Sequence, residues 1–212
     1  VEVRCMEIKK RRNYDFSFLN VNEKNPLVIA MSLVVINLLS LLTLIILLSY
    51  VKVSNPFLML TVPTVISFII LPKLLLKCLN IEDNLDVFRY LKTSSVIFIS
   101  FVAVYLLIFR SKLDMTFVGF WIVHYLIVAT GEEYIYRHLL ISLLSKKMSI
   151  IISCAISSIV FAFILHNNED FLTNLVIRLP LALMLSGIYV KTKSLSLPIV
   201  IHAIYNLLVM IV

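Results

Sequence analysis

The chain has 212 residues, of which 61% are hydrophobic and 15% are charged. Its mean hydropathy of +1.03 excludes an ordinary soluble domain and indicates a membrane protein. Only three glycines and six prolines occur, which disfavours a transmembrane β-barrel because such a barrel needs a turn after every strand of about ten residues. The sequence therefore predicts an all-α fold, a polytopic transmembrane helical bundle.

The net charge of +7 does not require a nucleic-acid partner. Membrane proteins concentrate lysine and arginine in cytoplasmic loops, and most of the 19 basic residues fall into alternate loops if the N-terminus is cytoplasmic. This pattern predicts a multi-pass protein of the cell membrane with a cytoplasmic N-terminus, the lipid bilayer as its partner and no nucleic acid. The three cysteines share no metal-type spacing and predict neither a disulfide framework nor a zinc knuckle.

Seven apolar segments are candidates for membrane spans, since a helix needs about 20 residues to cross a hydrocarbon core of about 30 Å. They are 27–50, 56–76, 94–110, 116–145, 149–166, 171–190 and 195–212. We divide the chain into a basic cytoplasmic N-terminal segment (1–25), N-terminal transmembrane helices (26–114) and a C-terminal transmembrane core (115–212), which carries the polar residues described next. The first segment has no apolar stretch typical of a removable signal peptide.

The fourth apolar segment carries two adjacent acids, Glu132 and Glu133, and Arg137. A charge at the centre of a bilayer costs a few kcal/mol or more, so ionisable residues there often mark function. On a helix Glu133 and Arg137 are four residues apart and close enough to pair, whereas Glu132 points about 100° away. The spacing predicts that Glu133 and Arg137 support the site and that Glu132 does the chemistry.

Two further segments supply polar groups. The fifth ends at His166, and the seventh carries His202 and Asn206 on one helical face. If the helices are continuous, these groups meet Glu132 only after tilting or a shift of the helix ends.

Two chemical routes fit this set, and both lead to hydrolysis of a peptide bond. Glu132, His166 and His202 are suitable ligands for a zinc cofactor with an open position for water. Without a metal, Glu132 and His166 could deprotonate a water while His202 and Asn206 donate hydrogen bonds to the oxyanion. Asn206 favours the second route slightly, because an amide is a poor zinc ligand.

These residues resemble the family of CaaX proteases and bacteriocin-processing proteins. Residues 132–137 fit its EExxxR motif and residues 202–206 fit HxxxN. His166 matches the histidine of the FxxxH motif, but the phenylalanine position is Ala162, flanked by Phe161 and Phe163. The resemblance covers roughly residues 115–210 and implies the catalytic roles given above.

The resemblance implies an intramembrane endopeptidase, of glutamate or metalloprotease type, whose substrate is a membrane-associated protein or peptide precursor. The alternative is a non-catalytic membrane immunity or scaffold protein that binds a bacteriocin or a signalling partner. A proton-coupled transporter ranks last, because no internal repeat is visible.

Overall fold

The computed structural model describes residues 19–21, 25–85, 89–110, 114–167 and 169–210, and it confirms an all-α helical bundle. The described residues form seven continuous helices, each coinciding with one predicted apolar segment. They are α1 (Pro26–Tyr50), α2 (Phe57–Cys78), α3 (Leu91–Phe109), α4 (115–144), α5 (Ile150–Leu165), α6 (Phe171–Thr192) and α7 (Ser196–Val209). Most of the predicted N-terminal segment 1–25 lies outside the described residues.

Four of these helices, α1, α2, α3 and α6, are long and apolar enough to cross a membrane. They point large apolar side chains outwards, among them Met31 at 72% exposure and Leu107 at 80%. An apolar surface of this extent suits lipid better than water, so the chain is a multi-pass membrane protein. Helices α5 and α7 are apolar but shorter, and α4 carries the charges, so the predicted count of about seven spans stays a prediction for these three.

Helix α4 lies at the centre of the bundle. Every residue from Gly131 to Leu144 is buried. Helix α7 packs against α4 and α3, α6 packs against α5, and α1 and α2 cover another side of α4. The acids of α4 are therefore surrounded by protein rather than by lipid.

Helix α7 begins inside the protein, which explains how His202 reaches the acids. After α6 the backbone turns at Lys193, which adopts a left-handed conformation with φ 54°. Ser194, Leu195 and Ser196 are then 0%, 1% and 5% exposed. The start of α7 is thus covered by protein, and His202, six residues further along this helix, lies against the acids.

One pairing of short strands is not predicted by the sequence. β1 (Leu19–Asn20) and β2 (Glu82–Asp83) are antiparallel, with Leu19 opposite Asp83. Strands of two residues are too short to show a periodic pattern. The pairing brings the chain before α1 to the loop after α2.

Gly131 allows α2 to approach α4 directly beside the acids. A Cβ atom at this position would lie 2.6 Å from the Cβ atom of Phe68, which is itself 2% exposed. Such a distance is well inside van der Waals contact. The close packing of α2 on α4 therefore depends on the missing side chain.

We expect Gly131→Ala to lower the unfolding free energy by about 1–3 kcal/mol, the usual range for overpacking. The measurement is thermal unfolding of the purified protein in detergent. Gly119→Ala and Gly187→Ala are matched controls, because both glycines are helical and a Cβ there meets nothing within 4 Å. Equal midpoints for all three variants would contradict the prediction.

Candidate active site

Glu133 is held on both sides by buried partners. Its Oε2 lies 3.1 Å from Arg137 Nε, and its Oε1 lies 2.9 Å from His202 Nδ1. All three side chains are at most 3% exposed. A carboxylate paired with arginine can only accept hydrogen bonds, so His202 carries a proton on Nδ1 and donates it to Glu133. The contact predicted between Glu133 and Arg137 is present.

The guanidinium of Arg137 also lies over an aromatic ring, and its Nη1 and Nη2 atoms have no hydrogen-bond partner among the described residues. Its guanidinium carbon lies 4.6 Å from the ring centroid of Phe161, and the side chain is fully buried. A cation over an aromatic face is attracted by the ring quadrupole, more strongly where water is excluded. Phe161 on α5 therefore takes part in the charge balance of α4.

Glu132 is the less constrained of the two acids. Its Oε2 lies 3.5 Å from His202 Nε2, longer than an ordinary hydrogen bond, and has no hydrogen-bond partner among the described residues. The residue is nevertheless only 6% exposed. The two acids thus lie on opposite sides of one imidazole, with Glu133 at Nδ1 of His202 and Glu132 facing its Nε2.

A wide helical turn explains the displaced phenylalanine of the second motif. Residues Val160–Leu165 form a π-helical turn, in which hydrogen bonds span five residues instead of four. Residues five apart then come together as residues four apart do in an α-helix. The ring of Phe161 accordingly contacts His166, with centroids 5.0 Å apart. Phe161 also contacts His202, with centroids 5.6 Å apart.

Asn174 on α6 holds the backbone at His166. Its Nδ2 donates a 2.8 Å hydrogen bond to the His166 carbonyl, which also accepts the Glu169 backbone N–H at 3.2 Å. His166 lies just beyond the end of α5, so no helix fixes its conformation. The nearby pair of Arg178 and Glu169, 2.9 Å apart, ties the same loop to α6. Sequence reasoning missed Asn174, since a single asparagine in an apolar helix carries no motif.

The structure does not join Asn206 to this group. It lies one turn after His202 and is partly buried, but no hydrogen bond connects its side chain to the described site residues. Its role in binding the oxyanion stays a prediction.

The described residues do not group enough potential ligands for a metal centre. Within the described ranges, no three His, Cys, Asp or Glu side chains are grouped closely enough to hold a metal ion. The Nδ1 atom of His202 is already bonded to Glu133, and the ring of Phe161 separately contacts both imidazoles. The zinc set of Glu132, His166 and His202 stays a prediction that chelation would test.

A second polar network lies on the adjacent face of α4. His138 Nε2 lies 2.7 Å from Asp83 Oδ1, and the Tyr134 hydroxyl donates to Asp83 Oδ2 at 2.8 Å. His138 Nδ1 is 2.9 Å from the hydroxyl of Tyr189 on α6. Burial raises the pKa of Asp83, but the hydrogen bond and electrostatic attraction of His138, with the hydrogen bonds from Tyr134 and the Leu85 backbone, outweigh it and hold that pKa below its usual value. Asp83 lies in β2, within the polar segment between α2 and α3, and no motif in the sequence marks it as part of a network.

Comparison with known proteins gives one family match, and it covers α4 to α7. The family model of type II CAAX prenyl endopeptidase Rce1-like proteins matches residues 114–208. These residues, which make up less than half of the chain, are similar to the Rce1-like family. The resemblance predicted from the motifs is confirmed, and the match supports CAAX-type intramembrane protease activity in general. No curated protein and no solved structure matches the chain. The Rce1-like region contains Glu132, His166, His202 and Asn206, whereas α1 to α3 lie outside it.

Removal of Arg137 alone should destabilise the Rce1-like region strongly. Arg137→Met leaves the Glu133 charge buried without its arginine, which costs about 3–5 kcal/mol in comparable sites. The double variant Glu133→Gln with Arg137→Met should regain much of this loss, because no unpaired charge remains. Unfolding of the purified protein in detergent measures both. Arg110→Met, at an exposed arginine, is the control. The expectation is contradicted if the double variant is no more stable than Arg137→Met.

Loss of the Asn174 hydrogen bond should impair His166 without unfolding the protein. We expect Asn174→Leu to slow peptide cleavage roughly tenfold or more, since small misplacements of catalytic groups have effects of that order. Asn167→Leu, on the exposed neighbour of His166, is the control. The thermal midpoint of each variant is measured alongside its rate. Equal rates for the two variants would show that Asn174 does not position His166.

Proposed function

We propose that this protein is an intramembrane endopeptidase in which Glu132 activates the water that attacks a peptide carbonyl. The observation that carries the proposal is the unequal environment of the two acids. Glu133 accepts a 2.9 Å hydrogen bond from His202 on Oε1 and has Arg137 3.1 Å from Oε2, whereas the buried Oε2 atom of Glu132 has no hydrogen bond and lies 3.5 Å from His202 Nε2. A buried carboxylate with an uncommitted oxygen is suited to accept a proton from water.

The position of one further proton decides how Glu132 and His202 interact. Because His202 donates its Nδ1 proton to Glu133, a neutral ring would turn the lone pair of Nε2 towards the Glu132 carboxylate. The lone pair and the carboxylate repel each other unless a second proton lies on Glu132 or on His202 Nε2. With either placement the cluster of Glu132, Glu133, Arg137 and His202 is neutral overall, which lowers the cost of burying it.

The reaction starts from the form with the proton on His202. Glu132 takes a proton from water as the water oxygen attacks the carbonyl carbon, and His166 helps to hold the water. His202 Nε2–H and the side-chain N–H of Asn206 donate hydrogen bonds to the oxyanion. When the carbon–nitrogen bond breaks, Glu132 returns its proton to the leaving amine. The proposed steps use protein side chains only, since no three potential metal ligands lie close together among the described residues.

The proposed substrate is a membrane-associated protein or peptide precursor. The outward surface of the bundle is apolar, so such a substrate would approach from the bilayer or from its surface. The match to the Rce1-like family supports the class of reaction, which is cleavage of a peptide bond. The competing hypothesis is the non-catalytic immunity or scaffold protein, which would bind its partner without cleaving it.

The test is cleavage of a panel of secreted-peptide precursors by the purified protein, followed by mass spectrometry. Glu132→Gln and His202→Ala should each reduce the rate at least about 100-fold, the lower range for loss of an acid–base group. Glu82→Gln, on an exposed acid of β2, should cleave like the wild type.

Each variant is also assayed with and without a chelator. On the proposed route the wild-type rate is unchanged by chelation, whereas its loss would favour the metalloprotease route. Cleavage that persists in both Glu132→Gln and His202→Ala would show that the site is wrong. Binding of a panel peptide without cleavage, retained in Glu132→Gln, would favour the scaffold hypothesis.

A further inference from the structure

The two halves of α7 pack against different parts of the protein. The first half carries His202 and lies against the acids of α4. In the second half, Leu207 is fully buried in a separate apolar cluster with Tyr105 of α3 and Val118 of α4. Asn206 directly precedes Leu207 in the sequence, so the candidate oxyanion residue lies where the two environments meet.

Asn206 lies in the part of α7 where a helix holds its residues least firmly. Helix α7 ends at Val209, so Asn206 belongs to its last turn. The last four carbonyls of a helix lack their regular partners within the helix, and helix ends fray. No hydrogen bond joins the Asn206 side chain to the described site residues. Its position therefore depends on the backbone of this last turn.

Tyr105 of α3 binds the backbone of the same turn. Its hydroxyl donates a 3.0 Å hydrogen bond to the carbonyl of Leu207, the residue after Asn206. Tyr105 and Leu207 are at most 1% exposed, so water does not compete for this bond. The carbonyl of Asn206 itself accepts the Met210 backbone N–H at 3.2 Å. Tyr105 thus supplies a partner for the next carbonyl of the last turn from a helix distant in sequence.

The ring of Tyr105 is itself held by its neighbours. It contacts the rings of Phe101 and Phe109, with centroids 5.6 and 5.5 Å away. Residues four apart share one face of a helix, so the three rings form a row along α3. Phe101 and Phe109 also pack against the cluster that contains Leu207. The hydroxyl therefore reaches the Leu207 carbonyl from a ring that has little freedom to move.

We propose that Tyr105 is a positioning residue, which fixes the last turn of α7 and so places the Asn206 amide for hydrogen bonding to the oxyanion. The inference rests on the proposed function, in which Asn206 is one of two oxyanion donors. Such a donor must lie about 2.7–3.1 Å from the developing charge, so a small displacement of this turn is costly. The proposal gives α3, which lies outside the residues that match the Rce1-like family, a part in the active-site geometry.

The first experiment measures kcat and KM of Tyr105→Phe, which removes only the hydroxyl, on a peptide that the wild type cleaves. We expect kcat to fall about tenfold, because small misplacements of catalytic groups have effects of this order or larger. KM should stay within about twofold, since the oxyanion contact is made in the transition state. Tyr50→Phe, at an 85% exposed tyrosine of α1, is the matched control and should cleave like the wild type.

A double-mutant cycle shows whether Tyr105 acts through Asn206. Asn206→Leu alone should lower kcat about 100-fold, the lower range for loss of one oxyanion donor. Adding Tyr105→Phe should then lower kcat by less than about twofold, because the group that Tyr105 positions is already gone. The same fold loss in both backgrounds would mean that Tyr105 acts on α7 as a whole, and it would overturn the proposal. An unchanged kcat in Tyr105→Phe, whatever its unfolding midpoint, would overturn it as well.

A spectroscopic measurement separates this inference from the proposed function. The side-chain amide of Asn206 is observed by NMR in protein that contains isotopically labelled asparagine, and Asn206→Leu assigns its resonances. Tyr105→Phe should shift these resonances, and Tyr50→Phe should leave them in place. If the wild type cleaves none of the panel, the proposed function fails, and a shift in Tyr105→Phe still shows that Tyr105 positions Asn206. Unshifted resonances overturn the inference whether or not the protein cleaves peptides.

Discussion

The buried ion pair between Glu133 and Arg137 is the constraint on which the rest of the site depends. Removing two charges from water is costly, and neighbouring groups must offset much of that cost. Here the neighbours come from other helices, because α7 contributes His202 and α5 contributes the ring of Phe161, while Nη1 and Nη2 of Arg137 have no hydrogen-bond partner among the described residues. The need to surround this pair explains why the middle of α4 is buried along its whole circumference, although most other helices expose apolar side chains.

The contact between Phe161 and His166 shows how a motif can keep its geometry while its spacing changes. In an α-helix an aromatic residue five positions before a histidine would lie on a different face. The π-helical turn of α5 absorbs the extra residue and restores the contact. Wide turns of this kind often occur at functional sites, and a motif search that assumes regular helices reads such a site as a mismatch.

The sequence predicted the parts of this structure that follow from local pattern. Apolar length located all seven helices, and the four-residue spacing of Glu133 and Arg137 predicted their contact. The inward start of α7 was not predictable, because it depends on one left-handed residue, Lys193, and on the burial of the segment after it. The contacts of Asn174 and Asp83 were missed for a related reason. Each joins segments distant in sequence through a single polar side chain, which leaves no periodic signal.

Two polar networks on adjacent faces of α4 together fix the position of Glu132. The pair of Glu133 and Arg137 is anchored to α7, and the neighbouring stack of Tyr134 and His138 is anchored to Asp83 and Tyr189. A rotation or slide of α4 would break both networks, so the helix has little freedom. In the proposed mechanism Glu132 must stay in place without being bound by its neighbours, because a hydrogen bond to its reactive oxygen would reduce its basicity. Both requirements are met when the residues after Glu132 are held in place by the two networks. This accounts for the concentration of buried charge in a single turn of one helix.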